Sequence, residues 1–439
     1  MTPETHADAA KRSASIIFGR NVENPRPLGF GSDVAPNAEN GCILGDATEG
    51  HLLAIAPTGA GKGRNIIIPN LLNYRGPAIV IDPKGEAAMV TARRRRELGQ
   101  LTVIIDPFGV CGEPTDALNP LDLLDPTAES FEADCFMLAK MLTGNQQSAI
   151  DRFWDQNAEC LIAGILADLA EHGKAEDRNL SGLRRYLCDS DLSYKMATRL
   201  DNGLANTSGL ACEEFKNFLG HEGEKVRTSV RSTAMQHMMI FAGRQVERAV
   251  ERSTFCLNHV TSGEGMTIYL VIPPHKLEAY GTLLRIWVAT LLTLITRRKK
   301  APPLPTLFIL DELAQLGQFP LLRPAVTLLR GYGVRCMLFL QDAGQLRALF
   351  PADHTTIVNN CASVVSFGHT SFPMSREMSE IFGDLSAERL YGMDRSTLAV
   401  RQSGEASKII ERLDYLNDPA FAGMFDGNRM AQKPHRSLI

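Results

Sequence analysis

Seven short apolar runs recur along the chain and predict the strands of one sheet. Each run is nearly continuous in apolar character, which is typical of parallel strands covered on both faces. The predicted strands cover residues 52–56, 78–82, 102–106, 266–272, 307–310, 336–340 and 362–367. Several of the segments between them have helical periodicity, as in β-α-β units. The pattern predicts an α/β fold with a doubly wound, mainly parallel sheet.

The middle of the chain, residues 121–250, has a different pattern. Apolar residues recur at helical spacing through 153–172, and residues 131–142 and 228–241 also favour helices. The segment carries 14 Lys and Arg residues against 20 Asp and Glu residues. We therefore predict an acidic, all-α domain that interrupts the sheet.

The first 40 residues contain Pro25, Pro27 and Pro36 among glycines and polar residues, which predicts an irregular arm. The predicted organisation is an amino-terminal arm, the first part of the sheet domain, the inserted all-α domain and the second part of the sheet domain. Their bounds are 1–40, 41–120, 121–250 and 251–439.

Composition narrows the class of protein. The 439 residues are 44% hydrophobic and 22% charged, as in ordinary soluble globular proteins. The formal net charge is −4, so any contact with nucleic acid would need a local basic patch. The nine cysteines are scattered without a CxxC pair, which favours reduced thiols in a cytoplasm, and no Cys/His spacing indicates zinc. No apolar run reaches the roughly 18 residues of a membrane span.

The strongest chemical signal is the sequence APTGAGKG at 56–63, which follows a predicted strand and precedes a predicted helix. That context predicts a phosphate-binding loop, in which backbone N–H groups and the helix amino end surround the β-phosphate. Lys62 would contact the β- and γ-phosphates. The alternative interpretation is a glycine turn before a helix. The predicted nucleotide-binding residues are Pro57, Thr58, Gly59, Ala60, Gly61, Lys62 and Gly63.

This loop departs from the general G-x-x-x-x-G-K-[ST] pattern at two positions. Ala56 stands in place of the first glycine, and Gly63 stands in place of the hydroxyl residue that holds Mg²⁺. More of the metal shell would therefore fall to a carboxylate elsewhere. Thr58 also carries a hydroxyl, but the sequence does not assign it to the metal.

Two carboxylates, Asp311 and Glu312, follow the predicted strand 307–310 directly. In P-loop enzymes the first residue of such a pair supports Mg²⁺ and the second polarises the attacking water. We predict Asp311 as the metal residue and Glu312 as the catalytic base. A strand that ends in acids is weak evidence alone, and it gains weight from the loop at 56–63.

Two further residues are candidates for catalysis. Gln341 follows the predicted strand 336–340, where a polar side chain could sense the γ-phosphate or could merely cap the strand. Arg330 precedes Gly331, and it could act as an arginine finger across a subunit boundary or be a solvated arginine at a helix end.

Basic residues also cluster at 93–96, at 297–300 and on a predicted helix that carries Arg244, Arg248 and Arg252. Such clusters usually form solvated faces. The alternative is a surface that tracks a phosphate backbone.

Together these segments resemble the coupling ATPases of type IV secretion and conjugation, the TraG type, within the FtsK/HerA class of DNA-pumping P-loop motors. The resemblance runs from about residue 28 to 430, and this family often carries glycine after the P-loop lysine. The segments that carry it are APTGAGKG at 56–63, IIIPNLL at 66–72, IDPKGE at 81–86, RRRRELG at 93–99, IDPFG at 105–109, NPLD at 119–122, FWDQNA at 153–158, TIYLVIPP at 267–274, FILDELAQLG at 308–317, GYGVR at 331–335 and LQDAGQL at 340–346.

The resemblance implies a RecA-like motor domain with an all-helical domain inserted after NPLD. It also implies a homo-hexamer that binds ATP and Mg²⁺ between subunits. The implied partners are single-stranded DNA or a relaxase–DNA complex, secreted protein substrates and subunits of a type IV secretion channel. The helical domain would recruit the substrate.

Members of this family commonly begin with transmembrane helices, whereas here the similar region starts almost at once. We therefore expect a cytoplasmic protein without a transmembrane segment in this chain, peripheral at the cytoplasmic face of the bacterial inner membrane. A separate subunit could supply the anchor, or the protein could be a soluble variant.

Three hypotheses follow for the function. The first is a motor that couples DNA or nucleoprotein substrates to a secretion channel by hydrolysing ATP. The second is a cargo adaptor that nucleotide switches without processive pumping. The third is a soluble motor that translocates or remodels DNA.

Overall fold

The computed structural model describes residues 15–21, 43–46, 48, 50–112, 114–144, 149–203, 209–317, 322–369 and 371–428. The chain divides into two compact units. The first takes residues 1–104, 259–273 and 295–439, and the second takes residues 105–258 and 274–294.

Within the described residues the sheet contains eleven strands in the order β2-β1-β11-β10-β9-β3-β8-β7-β4-β6-β5. In chain order they are β1 Ile16–Arg20, β2 Ile43–Asp46, β3 His51–Ile55, β4 Ala78–Ile81, β5 Leu101–Ile105, β6 Met266–Leu270, β7 Thr306–Leu310, β8 Val334–Leu340, β9 Cys361–Phe367, β10 Thr397–Gln402 and β11 Lys408–Arg412. The seven predicted strands correspond to β3 through β9, which confirms the mainly parallel α/β class.

Six of these strands, β9, β3, β8, β7, β4 and β6, pair in parallel, and we call them the parallel core. Every residue of β3, β4, β6, β7 and β8 is buried, as expected for apolar strands covered on both faces. Ile55 of β3 pairs with Leu340 of β8, so the carboxyl ends of these two strands lie together.

Four strands that the apolar pattern did not predict, β10, β11, β1 and β2, add to the core through antiparallel pairs beside β9. We call them the antiparallel extension. Residues 1–40 were predicted to be irregular, and this was wrong for β1. Gly19 of β1 pairs with Arg412 of β11, a partner so distant in sequence that local proline and glycine content cannot reveal it. Pro25, Pro27 and Pro36 lie outside the described residues.

Sixteen α-helices are present in the part of the chain that the structure describes. They are α1 Ile68–Asn73, α2 Glu86–Glu97, α3 Phe131–Thr143, α4 Ala149–His172, α5 Leu180–Cys188, α6 Leu192–Gly203, α7 Gly209–Gly220, α8 Glu224–His237, α9 Arg244–Glu251, α10 Asn258–Ser262, α11 Pro274–Thr296, α12 Leu322–Leu328, α13 Ala343–Leu349, α14 His354–Asn360, α15 Phe372–Phe382 and α16 Ala387–Tyr391. A π-helical turn, Gly63–Ile67, leads into α1.

The second unit is helical. Within 121–250 the described residues form helices α3 to α9 and short 3₁₀ turns but no strand, which confirms the all-α insertion. Its core includes Ile162, Ile165 and Leu166 of α4, all fully buried. Asn179 begins α5 by accepting a hydrogen bond from the Gly182 N–H, 2.8 Å away. The exact bounds given to the sequence domains stay a prediction.

Helix α11 is a long apolar helix, although no apolar run in the sequence reaches the length of a membrane span. Its 23 residues are long and apolar enough to cross a membrane by length and composition alone. However, 67% of its most apolar window is buried inside the structure, as in the core helix of a folded domain. Trp287 in this helix is fully buried and donates its indole N–H to the Leu118 carbonyl, 3.1 Å away.

Candidate functional site

The predicted phosphate loop lies at the carboxyl end of β3, the central strand in the order of the described sheet. The Ala56 N–H donates to the Leu340 carbonyl of β8 at 2.8 Å, so the sheet pairing continues into the loop. The chain then turns through Gly59 and Gly61, whose φ angles of 78° and 95° favour glycine. Thr58 and Gly59 form the exposed apex of the loop.

The two glycines next to the lysine differ in what surrounds them. A Cβ on Gly61 would lie 2.4 Å from Asn65 Oδ1, so no side chain fits there while Asn65 keeps its position. A Cβ on Gly63 would meet only Glu86 Oε2, at 3.7 Å, which is an ordinary contact. Packing therefore requires glycine at 61, whereas at 63 it would leave room for a hydroxyl side chain.

Lys62 is held by the two carboxylates that the sequence predicted as its partners in the site. Its Nζ lies 2.9 Å from Asp311 Oδ1 and 2.5 Å from Glu312 Oε1. Asp311 and Glu312 follow β7, which is separated from β3 by β8 alone. Because parallel strands end at one edge of a sheet, residues 250 positions apart in sequence meet there.

Gln341, directly after β8, completes the cluster. Its Nε2 donates to Glu312 Oε2 at 3.1 Å, so Glu312 contacts Lys62 through one oxygen and Gln341 through the other. The Gln341 N–H is bound in turn by Gln345 Oε1 at 2.8 Å. The side chain of Gln341 is therefore hydrogen-bonded to the carboxylate of Glu312, a contact that a residue which merely caps the strand would not make.

Glu312 has an unusual backbone conformation. It is the one residue other than glycine with positive φ in the described ranges, at φ 57° and ψ 49°. A left-handed conformation costs a non-glycine residue roughly 1–3 kcal/mol and concentrates at functional sites. In this left-handed conformation of the backbone, the Glu312 carboxylate contacts Lys62.

Burial and charge act against each other on these groups. Burial opposes the charge of Lys62, but Asp311 and Glu312 raise its pKa above the ordinary value. Burial raises the pKa of Asp311, although Lys62 opposes that shift. Burial acts in the same direction on Glu312, but the hydrogen bonds from Lys62 and Gln341 hold its pKa below the usual range. Glu312 is therefore an ionised carboxylate at neutral pH.

The segment after β4 adds three residues to this edge to which the sequence assigned no role. Burial raises the pKa of Asp82 to about 7, and the charge of Asp311 adds to the shift. The positive charge of Lys84 acts on Asp311 and Glu312, and Glu86 lies beside Gly63. The sequence could have indicated these residues as part of the site, because they belong to the IDPKGE segment and follow an apolar strand, as Asp311 and Glu312 do.

The site offers oxygen ligands of the kind that Mg²⁺ prefers. Among the described residues, no group of three or more His, Cys, Asp or Glu side chains could hold a metal ion by itself. Mg²⁺ in nucleotide sites, however, usually needs only one or two carboxylates beside the phosphates and waters. Asp311, whose charge acts on the neighbouring Asp82, fits that requirement, and Gly63 offers no hydroxyl.

Arg330 is the predicted catalytic residue that does not join this cluster. It lies in the turn Leu329–Tyr332, before the amino end of β8, whereas Gln341 follows the carboxyl end of the same strand. Its charge acts on His51, the first residue of β3. Arg330 is therefore at the opposite edge of the sheet from Lys62 of its own chain.

The structure buries one arginine from each of the two basic runs at 93–96 and 297–300. Arg95 is fully buried, and its guanidinium donates to main-chain carbonyls and to Thr267 Oγ1, at 2.8 Å for the latter. Arg298 is also buried and binds the carbonyls of Val260 and Tyr332. The interpretation of both runs as wholly solvated faces was therefore wrong at these two positions, which are part of the core.

The third basic cluster is shorter than the spacing predicted. Arg244 and Arg248 are exposed on α9, but the helix ends at Glu251 and Arg252 is extended. Two arginines rather than three therefore share a helical face.

Comparison with known proteins gives consistent matches across the chain. A model of the family described as "Type IV secretory system Conjugative DNA transfer" matches residues 5–391. The conjugal transfer protein TraG of Agrobacterium fabrum is 27% identical over 379 residues, covering 84% of this chain and 56% of that protein. Protein VirD4 of Rhizobium radiobacter is 28% identical over 353 residues, covering 79% of this chain and 48% of that protein. The chain spans about half the length of these curated relatives.

Solved structures share the fold at lower identity. The bacterial conjugative coupling protein TrwBΔN70 superposes with a TM-score of 0.61 at 17% identity, covering 82% of this chain and 84% of that chain. TrwB in complex with a non-hydrolysable ATP analogue gives a TM-score of 0.62 at 16% identity, covering 83% and 85%.

Proposed function

Because the chain belongs to the Type IV secretory system Conjugative DNA transfer family, we propose that it is an ATP-dependent coupling protein. In this proposal it recruits DNA–relaxase complexes or secreted proteins and drives their transfer by hydrolysing ATP. The observation that carries the proposal is the contact of Lys62 with Asp311 and Glu312, with Gln341 bound to Glu312. A P-loop lysine, two strand-end carboxylates and an amide are the groups that phosphoryl transfer requires.

The proposed hydrolysis divides between the loop and the carboxylates. The backbone N–H groups of residues 58–63 surround the phosphates, and the helix that follows adds a favourable partial charge. Lys62 exchanges its carboxylate partners for phosphate oxygens. Glu312 accepts a proton from the attacking water, whose oxygen bonds to the γ-phosphorus while the bond to the ADP oxygen breaks. The products are ADP and inorganic phosphate.

Asp311 is the residue that would hold Mg²⁺ in this scheme. When bound, the ion neutralises charge on the phosphate oxygens. Support comes from solved structures of TrwB, which are complexes with ADP and Mg²⁺ and with a non-hydrolysable ATP analogue.

We assign Arg330 to the nucleotide of a neighbouring subunit. At the amino edge of the sheet it lies away from Lys62 of its own chain, so an effect on catalysis requires a second chain. An arginine supplied in trans stabilises charge on the transferring phosphoryl group. This assignment requires an assembly with sites between subunits, and the proposed assembly is a homo-hexamer.

The proposed partners are single-stranded DNA or a relaxase–DNA complex, secreted protein substrates and the subunits of the secretion channel. The helical unit is the proposed recruiting surface. The proposed location of the protein is the cytoplasmic face of the bacterial inner membrane. The proposal extends the family's role in conjugative transfer to this chain.

ATP turnover of the purified protein, with and without single-stranded DNA, tests the proposal. We expect DNA to stimulate turnover and Lys62→Ala to abolish it. Arg330→Ala should lower turnover only in the assembled protein, and adding a Lys62→Ala chain, which keeps its arginine, should restore part of it.

Wild-type turnover by Lys62→Ala would contradict the assigned site. Nucleotide-dependent binding of a relaxase with negligible turnover, in the presence of DNA, would contradict the motor and favour the nucleotide-switched adaptor. A third outcome is that DNA stimulates turnover but no gene for a channel component lies beside the gene for this protein. That outcome would favour a soluble DNA-remodelling motor.

A further inference from the structure

The phosphate loop is held from outside by a segment that belongs to none of the predicted site motifs. We call residues 412–428 the strap, which begins at the last residue of β11. Arg412 Nη1 donates to the Ala60 carbonyl at 2.8 Å. The Leu413 carbonyl accepts from Asn65 Nδ2 at 2.5 Å. Asp414 pairs with Arg64 through both carboxylate oxygens. Three consecutive strap residues thus contact the loop and the first helical turn after it.

Arg412 is itself fixed on several sides. Its backbone N–H donates to the Ser396 carbonyl and its Nε to the Thr397 carbonyl, each at 2.8 Å. Its guanidinium lies 4.7 Å from the ring centroid of Phe367, at the end of β9. A residue whose backbone is bound to Ser396 and whose side chain is bound to Thr397 and stacked on an aromatic ring has little freedom, so it can impose a position on the loop.

We propose that Arg412 is a positioning residue for phosphate binding. The Ala60 carbonyl and the Gly61 N–H belong to one planar trans peptide, so they point in opposite directions. By holding the carbonyl on the strap side, Arg412 turns the Gly61 N–H towards the interior of the loop, where the phosphates bind. Water could also bind this carbonyl, but it would not fix the orientation of the peptide.

Asn65 supports the next peptide, which joins Gly61 to Lys62. Its Oδ1 would lie only 2.4 Å from a Cβ placed on Gly61, so it blocks a side chain there. Its Nδ2 donates to the Leu413 carbonyl. The Asn65 N–H donates to the Gly61 carbonyl at 2.8 Å. The conformation of Gly61, at φ 95°, is therefore set by contacts on both neighbouring peptides, and both sets of contacts lead back to the strap.

The strap is anchored well enough to serve as this support. Leu413, Tyr415 and Phe421 are buried in one cluster with Ile17 of the antiparallel extension and residues of α1 and α2. Further along, the Asp426 N–H donates to the Val90 carbonyl at 3.0 Å. The support therefore joins the extension to the nucleotide loop through a buried apolar contact.

The inference rests on the proposed nucleotide site, and ADP with Mg²⁺ is the probe that tests it. We expect Arg412→Gln to weaken ADP binding about tenfold, the size of one hydrogen bond to a charged group. The KM for ATP should rise by the same factor with kcat nearly unchanged, because the bond acts equally before and during the reaction. Arg412→Lys, which keeps the charge without the planar fork, should lose less.

Arg401 offers a matched control. It lies on β10 of the same extension and also donates to a main-chain carbonyl, that of Ile381, but it does not contact the loop. Arg401→Gln should lower the unfolding temperature as much as Arg412→Gln and leave the dissociation constant of ADP at the wild-type value. If Arg412→Gln fails to fold, the comparison is made between Arg412→Lys and Arg401→Lys.

The outcomes separate this inference from the proposed function. If the wild type binds ADP and Arg412→Gln binds it equally well, the positioning role is overturned and the proposed function stands. An equal loss of affinity in Arg401→Gln would also overturn it, because the effect would then come from general loosening of the extension. A wild-type protein that fails to bind ADP with Mg²⁺ would overturn both.

Discussion

The parallel core and the antiparallel extension are two parts of one sheet, and they differ in the direction of strand pairing and in the residues they bring to the predicted site. Strands of the core such as β7 and β8 are buried at every residue, whereas β11 has exposed residues at both Lys408 and Glu411. The core brings together the groups with catalytic potential, and the extension contributes the strap that contacts the loop. The comparison shows that the predicted phosphate loop and the turn after it are contacted by a region that carries none of the predicted site motifs.

The largest expected difference between the two regions is in catalysis. Glu312→Gln, at the end of a core strand, should lower ATP turnover by roughly 10²–10⁴-fold, the range for loss of a general base. Nucleotide binding should persist, because Lys62 remains. Glu411→Gln, an exposed carboxylate on β11, is the control and should turn over ATP at the wild-type rate. Single-turnover kinetics give both values, and equal rates would remove Glu312 from the mechanism.

The next effect concerns stability. Leu338 in the middle of β8 is fully buried, so Leu338→Ala should lower the free energy of unfolding by about 2–5 kcal/mol. Ile409 on β11 is only half-buried, and Ile409→Ala should cost clearly less. Denaturant titration of both variants measures the difference. Equal costs would mean that the extension is packed as tightly as the core.

Acid should weaken the core before it weakens the ion pairs of the extension. Burial, with the charges of Arg330 and Arg335, lowers the pKa of His51 from 6.5 to about 4. The unfolded chain therefore binds the proton first as the pH falls, and up to about 3 kcal/mol of stability is lost between pH 6.5 and 4. His51→Gln should flatten this part of the profile.

Asp414 in the strap provides the contrast. Burial raises the pKa of Asp414, but the hydrogen bonds from Arg64 and Asn417 lower it by more, so the pKa lies below the ordinary 3.8. A carboxylate with a lowered pKa stabilises the fold above its unfolded pKa and loses that contribution only in stronger acid. Asp414→Asn should therefore leave the slope of stability between pH 6.5 and 5 as in the wild type. A slope changed by Asp414→Asn and not by His51→Gln would reverse the comparison.

The smallest effect is expected for the ion pair that ties β1 to the strap. Arg20 Nη2 lies 2.8 Å from Asp418 Oδ1, and the two side chains are 27% and 9% exposed. A double-mutant cycle with Arg20→Ala and Asp418→Ala should give a coupling energy of about 1 kcal/mol, the upper end for partly exposed pairs. ADP affinity should stay unchanged, because neither residue contacts the loop. A large loss of affinity would show that the strap acts through its whole length.

The sequence predicted the parts of the fold whose signals are local. Continuous apolar runs identified β3 to β9, and helical periodicity without strands identified the insertion. Lys62, Asp311, Glu312 and Gln341 were recognisable because each follows such a strand. The extension was missed because β2 is short and partly exposed, and because β1 pairs with β11, far along the chain.

Within the candidate site, the sequence by itself determined which chemical groups are present and at which edge of a parallel sheet they meet. The tertiary structure decided which of them touch. It placed Glu312 between Lys62 and Gln341, moved Arg330 to the opposite edge and brought Arg412 onto the loop. The reason is physical: burial and periodicity are properties of short segments, whereas a contact between distant residues exists only once the strands that carry them have paired.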